Sequence, residues 1–356
     1  MTSHAQKLHN DYPWITPNTP LISSAPMRLI SVPSLPLAVS RAGGLGFIAA
    51  GTDASSLPTE LDDINTSLLH HPIPLTPPGL LPIGIGFILW GSSLPSTLST
   101  LHSTPLKPAA IWLFAPHQTT DLALWTSSIR AASPLTKIWI QTGTVAETLQ
   151  VALECAPDVL VIQGSDAGGH GLANSSSIIS LLPECADALA ENGFGDIPLL
   201  AAGGISDGRG VAAAWQLGAV GVSMGTRFLA TPEAKISNGY RDAVVAARDG
   251  GVSTARTTVY DRVRGTAGWP ERYDGRGVLN ETYWDERGGM GEEENQRLYK
   301  EAMGRGDEGW GVEGKGRMTA YAGTGVGLIR KVMGAGEVVR EVQRDAVRLL
   351  ERGSKL

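Results

Sequence analysis

Val159-Leu-Val-Ile-Gln163 runs directly into Gly164-Ser-Asp-Ala-Gly-Gly-His-Gly171, and further along Pro198-Leu-Leu-Ala-Ala202 runs into Gly203-Gly-Ile-Ser-Asp-Gly208. Both apolar runs are nearly continuous in Val, Ile, Leu and Ala, with no alternation of polar residues. That pattern predicts strands covered on both faces, as in a parallel sheet under helices. Each run ends in glycine, where the backbone must turn without a Cβ in the way. A third run, Gly221-Val-Ser-Met-Gly-Thr226, follows a helical stretch and again ends in glycine plus a hydroxyl residue.

Strand-like runs also occupy residues 20–24, 45–49, 81–89, 109–114 and 137–142, which with the three above makes eight. Helical patterns fill residues 35–42, 55–70, 94–103, 120–132, 144–155, 176–192 and 207–217. An alternation of this kind predicts an α/β fold, a (β/α)8 TIM barrel complete by residue 234. Asp207 stands where its carboxylate can cap the helix that follows. Residues 235–325 change character: glycine and charge rise, aliphatic runs vanish, and Trp269, Trp284 and Trp310 stand among polar residues. This segment reads as a helical excursion over or beside the catalytic mouth, without a core of its own. Residues 326–356 are expected to end in a bracing helix from about Gly336, with Val338, Val342, Ala346, Leu349 and Leu350 on one face.

Composition excludes several classes. The 356 residues are 42% apolar, ample for a core, and 29 Lys and Arg against 35 Asp and Glu give a net charge of −6. A nucleic-acid or anionic-membrane surface would need clustered cations instead. No apolar run is long enough to cross a membrane, and the first residues, Met-Thr-Ser-His-Ala-Gln-Lys, form a polar leader without the apolar segment of a secretory signal. Cys155 and Cys185 lie in predicted helices with no ligand-spaced neighbour, so neither a disulfide framework nor a metal site is expected. The sequence closes on Ser354-Lys355-Leu356, the tripeptide read by the peroxisomal import receptor; peroxisomal localisation is the expectation, cytoplasmic otherwise.

In a parallel barrel, phosphate is commonly held after the seventh and eighth strands. Gly203, Gly204, Gly225 and Thr226 occupy those places, so their amides and the Thr226 hydroxyl are candidate phosphate donors; tight turns alone would also use the glycines. Of seven histidines, only His170 sits in a glycine-flanked turn directly beyond a buried strand. Such a turn is conformationally free unless something orders it, and a ligand is the expected source of order. Imidazole titrates near neutrality and suits proton transfer at carbon, although a histidine that only hydrogen-bonds a ligand or closes the turn would look the same.

Taken together, 163–171, Ala201-Ala-Gly-Gly-Ile-Ser-Asp-Gly-Arg-Gly210 and Ser223-Met-Gly-Thr-Arg-Phe-Leu-Ala-Thr231 closely resemble the nitronate monooxygenases, formerly called 2-nitropropane dioxygenases. Ala25-Pro-Met27, Ile83-Gly-Ile-Gly-Phe87 and Tyr321-Ala-Gly-Thr-Gly-Val-Gly-Leu328 extend the likeness over nearly the whole chain, and Trp269-Pro-Glu-Arg-Tyr-Asp-Gly-Arg276 resembles the fungal branch. The resemblance implies non-covalent FMN, with Ala25 and Met27 beside the isoalloxazine, Gln141 and Gln163 at its polar edge, and Gly168 and Gly169 bordering the ring. Gly203, Gly204, Ser223, Met224, Gly225 and Thr226 would hold the phosphate. His170 would be the base that converts a neutral nitroalkane to its nitronate, which O2 and a one-electron flavin step turn into a carbonyl compound and nitrite. Asp166, Gly86 and Ser223 depart from the Glu, Asn and Gln common in relatives. An NAD(P)H-dependent flavin reductase, acting on enoyl thioesters or quinones, is the alternative on the same frame.

Overall fold

The computed structural model describes residues 3–266, 268–311 and 314–353. Its strands, in chain order, are β1 (Leu21–Ser24), β2 (Phe47–Gly51), β3 (Leu80–Ile88), β4 (Lys107–Phe114), β5 (Lys137–Thr142), β6 (Val159–Gln163), β7 (Gly169–Leu172), β8 (Leu199–Ala202), β9 (Gly221–Met224), β10 (Thr254–Thr257) and β11 (Tyr273–Val278). All but β7, β10 and β11 form one parallel sheet, ordered β1-β9-β8-β6-β5-β4-β3-β2. A parallel bridge from Ser23 to Leu45 sets β1 against the approach to β2 and closes the ring. The chain is the (β/α)8 barrel that its alternating runs predict.

Side chains alternate across each strand. On β5, Trp139 belongs to the interior of the barrel while Ile138 and Ile140 join the layer beneath the helices; on β6, Val159 and Val161 face in and Leu160 and Ile162 face out. Both faces are thus apolar, which is why the strands read as continuous hydrophobic runs. Helix starts follow the sequence cues. Thr144 and Ser177 cap their helices, and Asp207 accepts from the amides of Arg209 at 2.9 Å and Gly210 at 3.4 Å.

The polar leader proves to be structural. Residues Ser3–Asp11 form a helix, and Leu8, Tyr12, Trp14 and Ile15 are buried in the interior cluster with Phe47, Trp112 and Trp139. Trp139 Nε1 donates to the Tyr12 hydroxyl at 2.8 Å. The segment covers the end of the barrel opposite the mouth, where burial of large aromatic surfaces outweighs its polar composition.

At the other end of the chain, helix Ala335–Gly353 buries Val338, Val339, Val342 and Ala346. It packs on helices Gly208–Gln216 and Ser34–Arg41, so closely that a Cβ at Gly208 would lie 2.7 Å from the Ala346 amide. Leu349 and Leu350, expected on the same face, are only half-buried. Gln343 accepts from Thr16 and donates to the Pro20 carbonyl, tying this helix to the start of the barrel. The expected import tripeptide Ser354-Lys355-Leu356 lies outside the described residues.

The excursion contains the expected helices, Asn238–Ala246 and Glu292–Gly304 among them, but it is more than helical. It supplies β10 and β11, which pair antiparallel with each other and with β7 in the order β10-β11-β7. It also has a small apolar cluster of its own, Val259, Tyr260, Val263 and Tyr299. The strand signal was masked because Thr-Ala-Arg-Thr and Tyr-Asp-Gly-Arg-Gly-Val are polar and glycine-rich, and β11 buries only alternate residues. The same sheet corrects the picture of a glycine turn awaiting a ligand: His170 sits within β7, opposite Gly275 of β11. Arg256 donates to the carbonyls of Ser165 and Ala167, and Arg276 to that of Ser165, so protein groups already hold the turn in place.

Candidate active site

The carboxyl ends of the barrel strands enclose a cavity of about 720 Å³, within the range of small-molecule sites. Ala25, Met27, Gln141, Gln163, Gly168, Gly169, His170, Gly203, Gly204, Ser223, Gly225 and Thr226 all line it. Met224 does not; its side chain is buried in the layer between barrel and helices. Its neighbour Ser223 faces the cavity, and successive residues of a strand point to opposite faces.

The barrel wall is polar near the mouth. Gln141 accepts from Trp112 Nε1 at 3.1 Å, and Gln163 donates to the His170 carbonyl at 3.2 Å, so neither carboxamide is free to rotate. Ser223 Oγ is buried with no hydrogen-bond partner among the described residues. Gly203 and Gly204 have φ of 110° and 74°, a region L side chains avoid. The amides of Gly203, Gly204 and Gly225 donate to no protein group among the described residues. Thr226 Oγ1 accepts from Gly323 N at 2.9 Å, which leaves its own proton available. Unfilled donors converging around a buried hydroxyl make a cradle for an anion.

The opposite wall is built around His170. Its Nε2 lies 2.9 Å from Asp261 Oδ2, and both side chains are 13% exposed. Tyr321 and Thr266 each donate to Asp261 Oδ1 at 2.9 Å. The imidazole stacks on Trp269 with centroids 3.8 Å apart and planes 4° from parallel. Gly275 leaves room for Tyr321 beside the imidazole: a Cβ there would lie 2.7 Å from the Tyr321 ring. Burial by itself would raise the Asp261 carboxyl, but the hydrogen bond and charge of His170, with the hydroxyls of Thr266 and Tyr321, outweigh it and hold the group below its ordinary value.

A carboxyl depressed in the folded state adds stability that is fully present above the unfolded value and is lost as pH falls through the folded one. The part of the parent's stability advantage over Asp261→Asn that comes from this carboxylate should therefore be lost as pH falls below about 4. Thermal melts of the two proteins across acidic pH measure it, and a pH-independent difference would contradict an ionised Asp261.

The sequence named His170 and the cradle residues, which line one cavity, but not Asp261, Thr266, Tyr321 or the stacking role of Trp269. Asp261 is 91 residues from His170, and no periodicity or motif links them. The Trp-Pro-Glu-Arg-Tyr-Asp-Gly-Arg stretch did mark the region, since it contains both Trp269 and Gly275.

A closed parallel barrel with its polar, cavity-lining groups gathered at the carboxyl ends of the strands defines a (β/α)8-barrel enzyme. The model of the nitronate monooxygenase family matches residues 125–345. The chain is 45% identical over 349 residues to nitronate monooxygenase npaC of Metarhizium robertsii, covering 97% of this chain and 95% of that one. It is 37% identical over 360 residues to a nitronate monooxygenase of Neurospora crassa, covering 96% and 92%. Among solved structures, the nitroalkane oxidase from Streptomyces ansochromogenes aligns with a TM-score of 0.71 at 22% identity, covering 98% of this chain and 99% of that one. FabK from Thermotoga maritima aligns with a TM-score of 0.70 at 21% identity, covering 98% of each; at such identities the likeness speaks for the fold. The chain belongs to the nitronate monooxygenase family, a flavin-dependent family of oxidoreductases. The unfilled amides, the unpartnered Ser223 hydroxyl and the Cβ-free turns are a fitting site for a flavin phosphate.

Proposed function

We propose that the chain binds FMN in this cavity and oxidises alkyl nitronates with O2 to a carbonyl compound and nitrite, accepting neutral nitroalkanes after His170 removes the α-proton. The observation that carries the reading is that one cavity joins the unfilled cradle of Gly203, Gly204, Ser223 and Gly225 to an imidazole held by a carboxylate. Gly203, Gly204, Gly225 and Thr226 bind the phosphate, Ser223 adds its hydroxyl, and Gln141 and Gln163 meet the polar edge of the ring. Ala25, Met27, Gly168 and Gly169 pack beside it. FMN, when bound, supplies the redox chemistry. His170 takes the α-proton as the C–H electron pair moves into the developing C=N bond, and Trp269 with Phe114 gives the cavity an aromatic wall, with Trp90 packed against Trp269.

Oxygen uptake with a panel of nitroalkanes and their preformed nitronates, with nitrite measured alongside, tests the reading on yellow, FMN-containing protein. Nitronates should be consumed with release of nitrite. Rapid anaerobic bleaching of the flavin by NADPH, with no nitrite from any nitronate, would replace this reading by an NAD(P)H-dependent flavin reductase.

A further inference from the structure

We infer that Asp261 is a positioning residue that fixes the tautomer of His170, so that Nδ1 is the nitrogen that takes the substrate proton; this rests on the base role proposed above. An ionised carboxylate can only accept hydrogen bonds. Asp261 Oδ1 is occupied by the hydroxyls of Thr266 and Tyr321, and Oδ2 faces His170 Nε2 at 2.9 Å. Nε2 must then carry the hydrogen, which leaves the lone pair of the neutral ring on Nδ1. Nδ1 makes no hydrogen bond to any described residue, and His170 lines the cavity. One ring face is covered by Trp269. The free edge of the imidazole is therefore the Nδ1 edge.

The proton balance follows. The α C–H bond of the nitroalkane breaks, its electron pair passes into C=N as negative charge moves to the nitro oxygens, and the proton bonds to Nδ1. His170 becomes an imidazolium in a largely buried place, where charge is costly unless compensated. Asp261 compensates it across 2.9 Å, and the Trp269 face favours a cation. Arg264, a further charged group packed here, lies over the Tyr321 ring 5.7 Å from its centroid.

Asparagine at 261 keeps the shape but offers no negative charge, and its NH2 can reverse the hydrogen bond and place the hydrogen on Nδ1. The experiment compares parent, Asp261→Asn, Asp261→Glu and His170→Asn as flavin-loaded proteins. Asp261→Asn should retain flavin and lower kcat for a neutral nitroalkane by about 10²-fold or more, with little change in KM. Turnover of the preformed nitronate should stay close to the parent rate, and Asp261→Glu should recover part of the loss. Nitrogen-15 NMR of the parent imidazole should show Nε2–H. Equal losses on both substrates, parental turnover of the neutral nitroalkane by Asp261→Asn, or an Nδ1–H parent would each overturn the inference. If His170→Asn itself leaves neutral-nitroalkane turnover unchanged, the base role fails; if it lowers that turnover and Asp261→Asn does not, only the role of Asp261 fails. Should Asp261→Asn not fold, the parent NMR and Asp261→Glu still decide.

Discussion

Replacing His170 by asparagine should lower turnover of a neutral nitroalkane by about 10²–10⁴-fold, the usual range for losing a general base, and leave turnover of the preformed nitronate close to the parent rate. In the proposed reaction the nitronate has already lost its α-proton, so the step assigned to the imidazole is bypassed. The substitution should spare the fold because β7 is held by backbone pairing to β11 and by Gln163 on the His170 carbonyl, none of which involves the ring. The cradle amides lie on other turns, so bound flavin should stay at parental levels. Initial rates of oxygen uptake and nitrite release on both substrate forms, with the visible absorbance of the purified protein, measure all three quantities. A parallel fall on both forms would mean that the ring shapes the cavity and does not move a proton.

The largest effect on stability is expected at the floor of the barrel. Trp139→Ala should destabilise the protein by about 3–5 kcal/mol. The indole is fully buried, with ring centroids 4.9 Å from Phe47, 5.9 Å from Trp112 and 6.2 Å from Tyr12. Alanine would leave a void that three large rings cannot close, and it would remove the donor to the buried Tyr12 hydroxyl. Trp139→Phe separates the two contributions, because it keeps most of the packing and should cost about 1 kcal/mol from the hydrogen bond plus a small packing loss. Denaturant midpoints for the three proteins check this, and a Trp139→Ala cost below about 1 kcal/mol would show that the leader helix and barrel floor do not form one packed core.

The barrel was legible because both faces of its strands are covered, which leaves a nearly unbroken aliphatic signature for β6 and β8. The cradle was legible because turns with positive φ select glycine, as at Gly203 and Gly204. Two further features carry a signal in the sequence itself. Leu8, Tyr12 and Ile15 are spaced by four and then three residues, an apolar helical stripe that identifies the leader as structural. Met224 stands between Ser223 and Gly225 on and just past a strand, where alternation alone turns its side chain away from the cavity. The β10-β11-β7 sheet and the Asp261–His170 contact had no such signal. Their strands are short and polar, and the hydrogen bond spans 91 residues of chain, so only tertiary packing brings its members together.

The antiparallel ladder between β7 and β11 separates two inheritances within one site. The barrel-borne cradle residues, from Ala25 to Thr226, all precede the excursion, whereas Asp261, Thr266, Trp269 and Tyr321, which surround the imidazole, all belong to it or to the chain returning from it. The register of His170 against Gly275 joins them. Sequence drift in residues 250–325 can thus alter the surroundings of His170 while the glycines of the barrel turns stay in the chain before it, and Gly323, whose amide donates to Thr226, is where such drift would reach the cradle.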